Sequence, residues 1–197
     1  HEISYYPGRT NVHLADVVVI NKIDSANLES INTVRENVLK LNPMAKIVEA
    51  ASPISLESES QENLITGKRV LVVEDGPTLT HGEMKYGAGM IAAQKYHAKE
   101  IIDPRPYAVK SIKDTYEKYP GIGTLLPAMG YGEKQMRDLE ATIANTPCDA
   151  VIIATPIDLR RIIKIKQPAV RVSYDLHEIG KPNLTGILTN FVKKLKK

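Results

Sequence analysis

The sequence predicts an α/β protein whose sheet is mainly parallel and is covered by helices on both faces. Short β-branched runs, such as residues 69–74 and 150–154, alternate with longer segments that carry apolar residues at helical spacing. The core must be aliphatic, because the chain contains no tryptophan and a single phenylalanine. Parallel strands that are buried on both faces are rich in valine, isoleucine and leucine, which agrees with this composition.

Composition and charge exclude several classes of protein. The 197 residues are 43% hydrophobic and 25% charged, as in a soluble globular protein. The net charge of +3 is too small to indicate a nucleic-acid partner, and no apolar run is long enough for a membrane span. Cys148 is the only cysteine, which excludes an internal disulfide and favours the reducing cytoplasm. The composition leaves room for a homo-oligomer.

The pattern of elements divides the chain into two parts. Residues 16–20 and 46–50 are predicted strands on either side of a helix at residues 26–41, which makes one β-α-β unit. Residues 52–66 are rich in serine and glutamate and are predicted to be a linker or a short solvated helix at the domain boundary. We therefore predict one domain at residues 1–64 and a second at residues 65–197.

The second part is predicted to contain five strands that alternate with helices. The runs at residues 69–74 and 150–154 are the most continuously apolar and are predicted to lie at the centre of the sheet. The other predicted strands are residues 101–102, 123–127 and 169–173, and the predicted helices are residues 88–97, 108–118, 133–144, 159–165 and 184–195.

The first candidate site is the sequence Asn-Lys-Ile-Asp that follows the first predicted strand. The carboxylate of Asp24 can accept hydrogen bonds from the ring N–H and the exocyclic amine of guanine, a pair that adenine does not offer. Asn21 can tie the loop to neighbouring backbone, and the stem of Lys22 can lie over the base. The alternative is an ordinary polar turn, since Asn and Asp are common turn residues.

The position of this loop strengthens the guanine-binding interpretation. The next predicted strand is followed by Ala51, Ser52 and Pro53, small residues at the place where a second loop could contact the base. Residues 12–53 therefore resemble the last third of a P-loop GTPase. The phosphate-binding pattern G-x-x-x-x-G-K-[ST] is absent from the chain. The resemblance implies that the phosphate loop lies in a missing N-terminal segment, which this chain would need as a partner.

The second candidate site is the loop after the strand at residues 69–74. Glycines free its backbone to approach an anion at the start of the next helix, and hydroxyl and imidazole groups could add hydrogen bonds. A carboxylate at the end of the strand is also a candidate metal ligand. The alternative is a loop that only connects strand to helix. The candidate phosphate- or substrate-binding residues are Asp75 (also the candidate metal ligand), Gly76, Thr78, Thr80, His81, Gly87 and Gly89.

Two further loops would face the same edge of a parallel sheet. Residues 128–132 precede one predicted helix, and residues 155–158 precede Arg160 and Arg161. Asp158 is predicted to be a helix cap, because Thr-Pro-x-Asp is a common helix opening. Arg160 or Arg161 is a candidate phosphate clamp, with simple solvent exposure as the alternative.

The phrases DGPTLTHG, YGAG, DVVVINKID and AVIIATPIDL resemble an archaeal family of predicted GTPases related to cyclic 2,3-diphosphoglycerate synthetase. The resemblance covers essentially the whole chain. It implies a Rossmann-like or P-loop-like sheet preceded by the end of a GTPase-like domain. It also implies phosphoryl transfer that uses GTP or ATP with Mg²⁺ and a phosphorylated small-molecule substrate. A GTP-dependent regulatory switch and a non-catalytic nucleotide-binding scaffold are the alternatives.

Overall fold

A computed structural model of the chain describes residues 2–77 and 87–196. By their contacts these residues form two compact units. The smaller unit comprises His1–Pro53 and Asp175–Lys197, and the larger unit comprises Ile54–Tyr174. This division differs from the predicted boundary between residues 64 and 65. The strand at Ile54–Leu56 pairs with the strand at Ala169–Tyr174 in the larger unit, and the strand at His177–Ile179 pairs with the strand at Lys46–Ala51 in the smaller unit. Separate domains at residues 1–64 and 65–197 stay a prediction.

The smaller unit is a three-stranded sheet with three helices. Strand β1 (Val17–Ile20) is parallel to β2 (Lys46–Ala51), and β2 is antiparallel to β9 (His177–Ile179). The helices are α1 (Tyr6–Leu14), α2 (Leu28–Leu41) and α6 (Leu184–Leu195).

Helix α2 shows why the first predicted β-α-β unit forms. Its N-cap Asn27 accepts the backbone N–H of Ser30 at 2.7 Å, which pairs one of the orphan donors of the first turn. Its buried residues Ile31 and Val38 lie seven positions apart, on one face of the helix. Val38 packs with Val12 of α1 in a small aliphatic core, and this packing of its apolar face stabilises α2 in the unit.

The larger unit is built on a six-stranded sheet whose strands run in the order β3-β8-β7-β4-β5, with β6 also paired to β4. Strands β4 and β7 are central, and the buried Val70–Val73 stretch of β4 is fully covered, as predicted. Strand β3 is antiparallel to β8, while the other pairs are parallel. The strands are β3 (Ile54–Leu56), β4 (Arg69–Asp75), β5 (Glu100–Ile101), β6 (Leu126–Ala128), β7 (Ala150–Ala154) and β8 (Ala169–Tyr174).

Within the described residues three helices accompany this sheet, which confirms the predicted mainly parallel α/β fold. They are α3 (Ala88–Lys95), α4 (Lys110–Lys118) and α5 (Glu133–Asn145). Their buried faces join a single aliphatic core with the strands. In α5 the inward residues include Met136, Leu139 and Ile143, at the spacing that the sequence indicated.

Several predicted elements differ in the structure. The segment at residues 52–66, predicted to be a linker or a short solvated helix, contains a 3-10 helix (Glu59–Leu64) and also strand β3, which was not predicted and pairs with β8. The predicted helix at residues 159–165 is a 3-10 helix of one turn, Leu159–Arg161. Helix α1 and strand β9 were not predicted. Helix α6 was predicted with correct bounds, yet Phe191 and Leu195 remain 57% and 70% exposed.

Candidate functional site

The predicted guanine-binding loop of the smaller unit is tied to the loop that follows β2. The Oδ1 atom of Asn21 accepts the backbone N–H of Lys22 at 2.8 Å and the hydroxyl of Ser52 at 2.9 Å. The Oδ1 atom of Asp24 accepts the backbone N–H of Ser52 at 2.9 Å. Because β1 and β2 are parallel, their carboxyl ends lie side by side and bring these residues together.

The same loop presents its side chains to solvent from a fixed backbone. Asn21, Lys22 and Asp24 are exposed, whereas Ala51 and Ser52 are buried. Lys22 has a φ of 62°, in the left-handed region. That conformation costs a non-glycine residue about 1 kcal/mol, a cost that is common at functional loops. It lets the carbonyl of Lys22 accept the N–H groups of Ser25 and Ala26, each at 3.1 Å.

The geometry leaves Asp24 able to accept further hydrogen bonds. Within the described residues its Oδ2 atom has no hydrogen-bond partner, and Oδ1 is used once by Ser52. An exposed carboxylate that is oriented by a backbone N–H can bind a pair of donors in one plane. The loop therefore offers a two-point acceptor at the carboxyl edge of parallel strands, where open α/β sheets bind ligands.

In the larger unit, a buried carboxylate occupies the helix start that the sequence assigned to an anion. The Oε1 atom of Glu74 accepts the backbone N–H groups of Gly89 at 2.8 Å and Met90 at 3.1 Å. Glu74 is the last residue but one of β4 and is 4% exposed. The first turn of α3 thus pairs with a side chain of the protein itself, and an external phosphate would compete with this carboxylate for these two amides.

Burial sets the ionisation of this carboxylate. Loss of solvent raises the pKa of Glu74 to about 7, and the neighbouring Asp75 adds to the rise. The N–H groups of Met90, Gly89 and Gly87 act in the opposite direction, because they stabilise the ionised form. Burial is the larger effect, so Glu74 titrates close to neutral pH.

The glycines at this helix start are required by close packing. A Cβ atom at Gly87 would lie 2.4 Å from Oε2 of Glu74, and one at Gly89 would lie 2.6 Å from Cγ1 of Val72. These distances are too short for unmoved atoms, so each glycine makes room for the Glu74 carboxylate or for β4. Close approach of backbone to a buried carboxylate was not foreseen from the sequence, which assigned these glycines to a ligand.

We expect Gly89→Ala to destabilise the larger unit by about 2 kcal/mol, the cost of overpacking a filled site. The new methyl group must displace Val72 or shift α3, since a Cβ atom at position 89 would also lie 3.0 Å from the Cβ atom of Ala154. Urea unfolding measures the change. Gly121→Ala is the matched control, because a Cβ atom there meets no heavy atom within 4 Å. Equal effects of the two substitutions would contradict the packing argument.

The remaining residues of the predicted anion loop fall into two groups. Thr78, Thr80 and His81 lie outside the described residues. Asp75 pairs in register with Ala128 of β6, and a Cβ atom at Gly76 would lie 2.4 Å from Sδ of Met129, so this part of the loop packs tightly against residues 128–129. Across residues 2–77 and 87–196, no three metal-ligating side chains come together. The role of Asp75 as a metal ligand stays a prediction.

Arg160 is held by two carboxylates of the larger unit. Its Nη2 atom lies 2.8 Å from Oδ2 of Asp158 and 2.7 Å from Oε1 of Glu57. Asp158, and after it Glu57, raises the pKa of Arg160. Asp158 also accepts the backbone N–H of Arg160 at 3.1 Å, which confirms its predicted role as a cap. A phosphate at Arg160 would therefore have to displace an existing ion pair.

Two polar side chains at the same sheet edge were missed by sequence reasoning. Arg171 of β8 reaches the loop after β7, where its Nη2 atom donates to the carbonyl of Pro156 at 3.0 Å. Burial raises the pKa of Tyr131, in the loop after β6, and the charge of Asp75 adds to the rise. An arginine inside a β-branched strand was the signal that could have revealed Arg171.

The fold and these loops together define an α/β protein with polar clusters at the carboxyl ends of parallel strands, the usual ligand-binding edge of such sheets. None of the helices in the described part is long and apolar enough to cross a bilayer.

Comparison with known proteins gives one strong similarity. No family model matches the chain. Over all of its 197 residues the chain is 57% identical to a protein of Thermococcus kodakarensis described as arginine synthetase ArcE. The chain spans 43% of the length of that relative. Similarity to a synthetase agrees with the ligase-type part of the sequence prediction. Synthesis of cyclic 2,3-diphosphoglycerate and binding of GTP stay predictions.

Proposed function

We propose that this chain is part of a nucleotide-dependent ligase in which a nucleoside triphosphate transfers its terminal phosphoryl group to a precursor of arginine, and an amine then displaces the phosphate to give arginine, nucleoside diphosphate and phosphate. The similarity to arginine synthetase ArcE over the full chain supports the reaction class and the product. The chain covers less than half of that relative, so the proposal concerns the complete gene product that contains these residues. In this proposal the smaller unit binds the nucleotide base, and the larger unit binds an anionic group of the substrate.

The observation that carries the nucleotide part is the Asp24 carboxylate, which the Ser52 N–H orients at 2.9 Å. Guanine offers two donors on one edge, and a carboxylate in a fixed plane can accept both. Asn21 fixes the loop through Ser52 and Lys22, so little conformational freedom is lost on binding. These contacts favour GTP over ATP as the nucleotide.

The described residues place no phosphate loop in the smaller unit. Phosphoryl transfer depends on positioning and on neutralising charge, for which Mg²⁺ is the usual ion. Mg²⁺ commonly binds one or two carboxylates together with phosphate oxygens and waters, and Asp75 is the residue that would serve in the larger unit. The other ligands of the ion would come from the nucleotide phosphates and water.

The reverse reaction tests this proposal, because its substrates are arginine, phosphate and a nucleoside diphosphate and do not depend on the identity of the precursor. The complete gene product is incubated with arginine, phosphate and Mg²⁺, with either GDP or ADP. Loss of arginine together with appearance of the nucleoside triphosphate is the expected result. Omission of arginine is the control. No loss of arginine with either nucleotide would reject the proposed activity.

The resemblance to cyclic 2,3-diphosphoglycerate synthetase supplies a second candidate. In that case the protein consumes nucleoside triphosphate only when 2,3-diphosphoglycerate is added, and ³¹P NMR detects the cyclic phosphoanhydride. Nucleotide binding without turnover on either substrate would instead favour a regulatory switch or a non-catalytic scaffold.

A further inference from the structure

Strand β1 lies at an edge of the smaller sheet, although its sequence is that of an interior strand. Among the described residues β1 pairs with β2 alone, so its other side is open to a further strand. Its four residues, Val17–Ile20, are all apolar and β-branched. The opposite edge strand, β9, carries His177 and Glu178, and ionisable residues of this kind discourage further strand pairing. The sequence of β1 therefore indicates a strand with neighbours on both sides.

The face of the sheet beside this edge is incompletely covered. Val19 of β1 and Val48 of β2 are register partners, so they lie on the same face of the sheet. Val48 is fully buried, whereas Val19 is 37% exposed. The smaller unit thus covers this face over β2 and leaves part of β1 uncovered.

Helix α6 exposes an apolar stripe, although its first turn is fixed to the same unit. Glu178 of β9 accepts the backbone N–H of Leu184, and the N-cap Asn183 accepts that of Gly186 at 2.9 Å. No residue of this helix is buried in the part of the chain that the structure describes. Its exposed apolar side chains recur at positions i, i+3, i+4 and i+7 and share one face of the helix: Leu188, Phe191, Val192 and Leu195.

The polar side of α6 borders the sheet. Asn190, Lys193 and Lys194 line an open cleft together with Lys46, the first residue of β2. A helix whose packing is completed within its own unit turns its apolar face inward. An exposed apolar stripe beside such a polar contact is typical of an interaction surface.

We propose that the open edge of β1 and the apolar stripe of α6 form the surface on which the remainder of the gene product docks, with one of its β-strands paired to β1 and apolar side chains over the stripe. The chain spans 43% of the length of arginine synthetase ArcE, so a gene product of that length holds more polypeptide outside these residues than within them. Covalent connection gives that polypeptide a high effective concentration at the surface. The docking surface goes beyond the proposed reaction and does not rest on it.

The charges of the surface favour this occupant over a second copy of the chain. Helix α6 contains no acidic residue, and its last turn carries Lys193 and Lys194. Two copies of α6 packed on each other could therefore form no ion pair between the helices. Strand β1 is also without charge, so complementary charge on neither element specifies self-pairing.

Photo-crosslinking of the complete gene product identifies the occupant. Phe191 is replaced by p-benzoylphenylalanine, which keeps an aromatic ring at this exposed position, and mass spectrometry identifies the crosslinked peptides. We expect crosslinks within one polypeptide to residues outside this chain. The same group in place of Thr189, an exposed residue on the polar side of α6, is the control and should give few such crosslinks. Crosslinks between two copies, crosslinks confined to this chain, or no crosslinks from position 191 would overturn the proposal.

Accessibility of cysteine variants tests the strand and the helix separately. In the monomeric complete gene product, a maleimide should label Val19→Cys and Leu188→Cys at least about tenfold more slowly than Thr189→Cys, because a covered thiol reacts only after local opening. Mass spectrometry of each labelled peptide counts the native Cys148 separately. Labelling of position 19 or 188 at the rate of Thr189→Cys would overturn the docking surface. Protection that is lost when a dimer dissociates on dilution would assign the surface to a second copy and would also overturn it.

Neither measurement uses a nucleotide or arginine. Protection of both positions in a gene product without ligase activity would reject the proposed function alone. An active ligase with an exposed stripe would reject the docking surface alone.

Discussion

Replacement of Asp24 by alanine in the complete gene product is expected to weaken GTP binding by about 2–4 kcal/mol, the scale for removing a charge-assisted pair of hydrogen bonds. The carboxylate is exposed and is oriented by the backbone N–H of Ser52, so its loss removes the acceptor without removing core packing. Calorimetric titration with GTP measures the change. Glu36→Ala, an exposed carboxylate on α2 of the same unit, is the control and should bind GTP as the wild type does.

The asparagine variant of the same position tests the hydrogen-bond pattern rather than the charge. Guanine presents two donors, whereas xanthine presents one donor and one carbonyl acceptor on the same edge. An asparagine amide supplies one acceptor and one donor, so Asp24→Asn should lose affinity for GTP and gain affinity for xanthosine triphosphate. Equal GTP affinity in the wild type and both variants would reject the guanine-binding interpretation. A preference of the wild type for ATP would show that the loop no longer selects the base.

Replacement of Glu74 by glutamine is expected to stabilise the fold relative to the wild type at alkaline pH. The free energy of unfolding of the variant minus that of the wild type should be about 3 kcal/mol larger at alkaline pH than at acid pH. The pKa of Glu74 is about 7 in the fold, against 4.5 for an unperturbed side chain. Between these values the unfolded chain releases a proton that the folded protein keeps. The stability of the wild type therefore falls as the pH rises through this window, and the cost is complete above about pH 7.

The glutamine side chain does not titrate, and its Oε1 atom can still accept the N–H groups of Gly89 and Met90. Urea unfolding of both proteins at about pH 4, below the unfolded pKa, and at about pH 8, above the folded pKa, gives the difference directly. Glu117→Gln, at an exposed position of α4, is the control for replacing a glutamate by glutamine outside the core. A difference for Glu74→Gln that is independent of pH would show that burial does not control this carboxylate.

The central part of the fold could be predicted because its signals are local and repeated. The stretches at residues 70–73 and 150–154 are continuously apolar and rich in β-branched residues, and such runs are stable only when both faces are covered. They form β4 and β7 at the centre of the larger sheet. Strands β3 and β9 have three residues each and were not predicted, because their pairing depends on distant partners in β8 and β2.

The candidate sites also contain features that local sequence patterns predicted and features that depend on distant residues. The sequence by itself determined that an Asn-Lys-x-Asp loop follows a buried strand, and that glycines open the helix at residue 88, since both are patterns of neighbouring residues. Tertiary structure alone decided that the backbone N–H of Ser52 orients Asp24 and that the carboxylate of Glu74 caps α3. It also decided that Arg160 forms an ion pair with Glu57, whereas the Nε atom of Arg171 has no hydrogen-bond partner among the described residues. Which donor meets which acceptor depends on distances between residues far apart in the chain, and burial then sets the free energy of each contact.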